Sequence, residues 1–206
     1  MTSELKYILS FTAASLRLNE MVKVLKAAQE DNISDLSLVK ENGIVFNSVK
    51  KRTSDREFRE IRKRLEKLTD EQKDILINGD LISQKQIAFL AVCNHYAFIR
   101  DFTIEVIRDK VLVFDYQLNE SDYNSFINSK ILLHPELEGF SESTRKKAKQ
   151  VMYRILEQAG IINNAVEKII QPQILQAKVI KSILLDDSQW LKVFLMPDND
   201  IKQLRY

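Results

Sequence analysis

The sequence predicts a mainly α-helical fold that ends in a winged helix-turn-helix-like unit with one small β-hairpin. Three observations support this. The 206 residues include only 4 Gly and 3 Pro, so few positions interrupt a helix. Apolar residues recur at intervals of three and four through most of the chain. The stretch Ser141 to Ile170 reads as a capped helix with a basic start, a glycine stop and two short β-branched runs.

In chain order, residues 1–10 form a short arm in which Leu5, Tyr7, Ile8 and Leu9 can pack. Ala14, Leu18, Met21, Val22 and Leu25 place a helix from Thr12 to about Gln29, ended by Asp31-Asn32. Ser34 can cap a second helix to Glu41 with Leu36, Leu38 and Val39 inward and Gly43 as its stop. Ile44 to Val49 is apolar and ambiguous. Thr53 or Ser54 opens a long helix to Leu68 with Phe58, Ile61, Leu65 and Leu68 as its buried stripe. Arg56, Arg59, Lys63 and Lys67 form a second stripe on it. Between Val49 and Lys67 there are nine Lys or Arg and four Asp or Glu. Thr69 and Asp70 cap a short helix ending at Asn78-Gly79. From Ser83 a central helix follows, apolar on nearly every side between Ile87 and Leu112 and so buried, with a break expected near Asn94–Ala97.

The character shifts near Asp115, which divides the chain into an N-terminal helical bundle at 1–115 and a winged-helix-like domain at 116–206. Ser121 caps a helix from Asp122 to Leu133. Ser143 caps the next, whose apolar face is Ala148, Val151, Met152, Ile155, Leu156 and Ala159, and Gly160 stops it. Ile161-Ile162 and Val166 to Ile170 form the hairpin, with Asn163-Asn164 tolerating left-handed backbone angles between them. Pro172 fits the first position of a helix through Leu185. Asp186, Asp187 or Ser188 caps a last short helix, and residues 197–206 form a polar tail.

The balance of 31 basic and 29 acidic residues leaves a net charge of +2, so any nucleic-acid surface must come from local segregation of charge. On the helix at 143–159, Lys146, Lys149, Gln150 and Tyr153 point away from the apolar face. Lysine and arginine can pair with guanine or phosphate, and glutamine with adenine. Ser143, Thr144 and Arg145 at the helix start can reach phosphate oxygens, which the helix N-terminus also favours. The basic helix offers Lys50, Lys51, Arg52, Arg56, Arg59 and Lys63 as a phosphate-tracking face. Its competing reading is a solvated surface laced by a Glu60–Arg64 pair. For 143–159 the competing reading is an ordinary amphipathic helix with lysines for solubility.

Enzyme chemistry is poorly represented. The four glycines are scattered, so there is no phosphate-binding or dinucleotide fingerprint. His95 and His134 are the only histidines and neither sits in a metal-ligand motif. Cys93, the single cysteine, is two residues from His95, which on one helix turns the two side chains about 200° apart. Asp101 and Glu105 could be paired acids, but salt bridges to Arg100, Arg108 or neighbouring helices fit them better. No catalytic residue, metal or cofactor is expected. The longest uninterrupted apolar run, Ile87 to Cys93, is too short to span a bilayer, and the first residues lack a long apolar signal core. A cytoplasmic protein without a membrane or small-molecule partner is expected.

The chain resembles the BrxA family, a small component of bacteriophage exclusion (BREX) defence systems. The resemblance rests on Ser10-Phe11-Thr12-Ala13 with Leu18-Asn19-Glu20, and on Arg56, Arg59-Glu60, Arg64-Leu65 and Leu68 in the basic helix. It continues through Leu90-Ala91-Val92-Cys93, Tyr96, Phe98-Ile99, Phe102 and Glu105-Val106. Further on come Asp122-Tyr123 with Phe126, Ser143-Thr144-Arg145-Lys146, and Leu156 with Ala159-Gly160-Ile161-Ile162. Ala14-Ser15 stands where two glycines are expected, and Phe89 where tryptophan is; both departures touch packing. The resemblance implies a NusB-like N-terminal bundle, helix-turn-helix character and non-enzymatic DNA binding in an anti-phage system whose methyltransferase is a separate component. The expected partners are therefore DNA, double-stranded and with weak sequence preference, and other BREX components. The alternatives are an adaptor docking larger defence subunits and a transcriptional regulator.

Overall fold

The structure, a computed structural model, describes residues 6–33, 35–39 and 51–204. It is mainly helical. The arm makes a 3-10 turn at Ser10–Ala13 and leads into α1, Leu18–Glu30, which starts later than the periodicity suggested. Leu36–Leu38 is a 3-10 turn; Leu36 and Val39, just past the turn, are buried, but Leu38 is exposed, against expectation. Ser34, Ile44 to Val49 and Lys50 lie outside the described residues, and of Lys51 and Arg52 only the backbone is described.

The basic helix is α2, Lys51–Leu65, and Phe58, Ile61, Leu65 and Leu68 are all buried as their spacing requires. α3, Asp70–Asn78, carries a full capping box in which Thr69 accepts from the Gln72 amide and Gln72 reaches back to the Thr69 N–H. α4 spans Leu81–His95, capped by Asp80, whose carboxylate accepts from the Ser83 N–H at 2.9 Å. The cap is thus one turn earlier than Ser83. Ile87 through Cys93 are buried without interruption, and α4 packs against α1, α2, α3, α8 (Glu142–Ala159) and α9 (Ala177–Asp186). A helix enclosed on all sides needs no polar face.

The expected break falls at Tyr96, whose extended backbone separates α4 from α5, Ala97–Phe102. α5 continues through a π-helical segment, Thr103–Arg108, into α6, Asp109–Leu112. α7 spans Glu120–Ile131 and is capped by Asn119, two residues before Ser121. α8 is capped by Ser141 rather than Ser143: its hydroxyl accepts from the Thr144 N–H at 3.2 Å. Gly160 ends α8 at φ 78°, a left-handed position that favours glycine.

After α8 the chain makes two isolated antiparallel bridges, Ile162 with Ile170 and Gln117 with Ile169, and no longer strand forms among the described residues. Asn163 and Asn164 hold the turn with side chains rather than left-handed angles: Asn164 Oδ1 accepts from the Val166 and Glu167 amides, and Lys168 takes the positive φ. Pro172 does not start a helix. α9 begins at Ala177, after a segment in which Gln86 donates to the Ile174 carbonyl. Asp187 caps a 3-10 helix at Ser188–Phe194. The expected polar tail contains α10, Asp198–Gln203, anchored by buried Ile201. One cluster of buried apolar side chains runs from Tyr7 to Ile201.

Candidate nucleic-acid interface

A charged residue in the core positions this site. Arg64 is fully buried on the inner face of α2. Its guanidinium donates to the carbonyls of Ala14 (2.5 Å), Ser15 (2.6 Å) and Leu16 (3.3 Å), and to the Tyr96 hydroxyl at 3.4 Å. Tyr96 in turn donates to Glu60 Oε2 at 2.7 Å, and the Ser10 hydroxyl donates to the same oxygen at 2.6 Å. The surface pair expected between Glu60 and Arg64 is therefore a buried network that stitches the arm to α2. Burial alone would raise the Glu60 carboxyl, but the Ser10 and Tyr96 hydrogen bonds and the Lys63 ammonium outweigh it and hold it below its ordinary value.

The other end of the arm is fastened at Tyr7. Its ring stacks on His134 with centroids 3.6 Å apart, its hydroxyl donates to Asp101 at 2.8 Å, and its N–H donates to Glu136. Held at both ends, the arm becomes one wall of a cavity of about 670 Å3. α2 contributes Arg56 and Lys63, the start of α8 contributes Ser143, Thr144 and Lys147, and the arm contributes Lys6. The lining thus holds four cations and, among the described residues, no carboxylate. It also opens onto the first turn of α8, whose free N–H groups favour an anion.

The two basic stretches therefore meet on one side of the molecule. Arg56, Lys63, Ser143 and Thr144 converge in the cavity, whereas Arg59, Lys146 and Gln150 are exposed outside its lining. Arg145 is exposed but commits its Nε to the Phe140 carbonyl at 3.0 Å. Lys149 does not point outward as expected. It is half-buried, pairs with Glu120 of α7 and lies 4.6 Å above the Tyr123 ring. Tyr153 is buried, with Lys168 over its ring at 5.1 Å, and presents no stacking face to solvent. The cause is α7: it covers the part of α8 that 100° spacing alone leaves open. Lys6 and Lys147 are the site residues that sequence reasoning missed. The i, i+3, i+4 spacing of Ser143, Lys147 and Thr144 puts them on one face, but nothing in the sequence indicates that this face meets α2.

The remaining candidates have structural roles. Cys93 is wholly buried, and burial pushes its thiol well above the ordinary range. Asp101 pairs with Arg100, and Glu105 pairs with Lys130 of α7. No group of three or more potential metal ligands occurs among the described residues. No helix among them is long and apolar enough to cross a membrane.

The sequence pattern of the BrxA family matches residues 5–186. The chain belongs to the BrxA family. It is 30% identical over 103 residues to a protein named BREX protein BrxA from Escherichia coli O9:H4 (strain HS), covering 50% of this chain and 48% of that one. A protein of the same name from Bacillus cereus (strain H3081.97) is 29% identical over 87 residues, 42% of this chain and 44% of its own length. The chain thus matches about half the length of these curated relatives. In three dimensions it is similar to the crystal structure of an uncharacterized protein from Magnetospirillum magneticum, with a TM-score of 0.78 and 21% identity over 93% of this chain and 99% of that one. At that identity the likeness concerns the fold alone.

Proposed function

We propose that this chain is a non-enzymatic, DNA-binding accessory protein of a BREX phage-defence system, acting in the cytoplasm beside other BREX components. The observation that carries the reading is the cleft in which Lys6, Arg56, Lys63 and Lys147 converge on the capped start of α8 with no carboxylate in the lining; among the described residues Lys63 alone also pairs, at 3.7 Å, with Glu60 behind it. Such a surface attracts phosphate by charge and by helix N–H donors, and offers little that would read a base edge. Double-stranded DNA with weak sequence preference is the matching ligand, because the cleft shows cations rather than exposed aromatic rings on which single-stranded bases would stack. In the finer architecture we propose, α7 and α8 form a helix-turn-helix-like pair, the bridged segments 116–118, 161–163 and 168–170 form its wing, and residues 1–115 form a NusB-like bundle. Membership of the BrxA family and relatives named as BREX proteins support the setting.

The test is a titration of labelled duplex DNA with three proteins: the unaltered chain, the cleft variant Arg56→Ala/Lys63→Ala/Lys147→Ala, and the outer-face variant Lys146→Ala/Gln150→Ala. Each lost phosphate contact weakens binding by several-fold at low salt, so the cleft variant is expected to bind at least about tenfold more weakly and the outer-face variant about as well as the unaltered chain. Equal loss in both variants would move the site off the cleft.

A further inference from the structure

A second surface shares no lining residue with the basic cleft and has the opposite character. α7 runs antiparallel to the helix formed by α5, the π-helical segment and α6: Lys110 pairs with Asp122 at 3.2 Å near one end, and Lys130 with Glu105 at 2.6 Å near the other. Between them lies a groove of about 560 Å3 with Val106 and Phe126 in its lining. Its lining carries three carboxylates, Glu105, Asp109 and Asp122, against one cation, Lys110, and Asp109 is exposed with no ion-pair partner among the described residues. Large apolar side chains stand at both ends: Val113 (72% exposed) and Phe114 (81%) after α6, Leu132 (87%) and Leu133 (55%) after α7. Phe114 is held at φ 62°, a left-handed backbone position where glycine is the usual occupant. One wall is the π-helical segment Thr103–Arg108, a helix defect that recurs at functional sites.

We infer that this groove receives an amphipathic helix of a partner polypeptide, with an apolar stripe flanked by lysine or arginine. Two antiparallel helices with apolar side chains at both ends of their seam offer anchors to residues spaced i, i+3/i+4 and i+7 over about three turns. An apolar surface of this kind, rimmed by polar groups, marks a binding site. The rim decides the sign of the partner: Glu105 and Asp122 are already paired with Lys130 and Lys110, but Asp109 is not, and the carboxylates still outnumber Lys110 in the lining, so the rim disfavours nucleic acid and acidic segments and complements a basic flank. Among the described residues, the basic helices α2 and α8 of a second copy do not supply that helix, because their apolar faces are already buried in its own core. The inference stands whether or not the basic cleft holds DNA.

The test uses the full chain, labelled with 15N, and a synthetic helix of about four turns with leucine on one face and lysine elsewhere. A matched peptide carries glutamate in place of lysine. Amide shifts are expected to concentrate at Val106, Asp109, Ser125 and Ser129, with the lysine peptide binding at least about tenfold more tightly than the glutamate one. The variant Asp109→Lys/Val113→Ser, altered only at exposed positions, is expected to bind the lysine peptide at least about tenfold more weakly while DNA binding stays unchanged. Equal affinity for both peptides, shifts spread elsewhere, or undiminished binding by the variant would overturn the inference. So would a self-association, seen by sedimentation velocity, that the same variant abolishes, since it would assign the groove to a second copy.

Discussion

Arg64 shows how one buried charge can shape a surface. A guanidinium can fork to three backbone carbonyls at once, and here those carbonyls belong to the arm that walls the basic cleft. Arg64→Ala would leave those acceptors buried and unpaired, and is expected to lower the unfolding free energy by about 3 kcal/mol or more in urea titrations. Arg64→Lys should recover little of it, because an ammonium lacks the planar fork. His95 gives a second residue-scale expectation. Its Nε2 is buried without a partner, and burial lowers its proton affinity to a pKa of about 4, against 6.5 for an ordinary imidazole. The unfolded chain therefore takes up the proton first as pH falls. Stability is full above pH 6.5 and declines toward pH 4. Tm should fall across that window, and His95→Gln should flatten the upper part of it, above the range in which Glu60 and Glu136 begin to protonate. An unchanged profile in the variant would remove His95 as the cause.

At the scale of elements, helix ends separate what the sequence reveals from what it leaves open. Three serines and threonines crowd the start of α8 within four residues, and each has the chemistry of a cap; only the backbone path selects Ser141. Ser141→Ala is therefore expected to cost about 1 kcal/mol, and Ser143→Ala only a few tenths, by thermal melts. Phe114 is the reverse case, a residue whose backbone disfavours it. Phe114→Gly should be neutral or raise stability by about 1 kcal/mol, since relief of the left-handed strain costs no buried contact. Buried stripes such as Phe58, Ile61, Leu65 and Leu68 were legible because a 3.6-residue period is a local property of the chain. The fate of Lys149 and Tyr153 was not, since it depends on α7 lying over them, a contact between helices that no spacing within α8 encodes. Ile161, Ile162, Ile169 and Ile170 signalled an extended return, but the partner of Ile169 is Gln117, some fifty residues earlier, and this could not be read locally. The cleft was legible in half: α2 and α8 were each visibly basic, but their meeting, and the recruitment of Lys6 and Lys147, came from the Arg64 and Tyr7 anchors of the arm.

For the whole molecule, a net charge of +2 hides a strong segregation. Lys6, Arg56, Lys63 and Lys147 face one cavity, while Glu105, Asp109 and Asp122 outnumber Lys110 around another. Near-neutral balance with separated fields suits a protein that holds a polyanion on one surface and a basic polypeptide on another without its own two surfaces competing. The most direct test of the central claim is the salt dependence of duplex DNA binding. Each lysine or arginine that neutralises a phosphate contributes about 0.9 to the slope of log affinity against log salt. From the unaltered chain to Arg56→Ala/Lys63→Ala/Lys147→Ala, with circular dichroism confirming the fold of both, the slope is expected to become shallower by about 2 to 3; an unchanged slope and affinity would exclude the cleft as the DNA site.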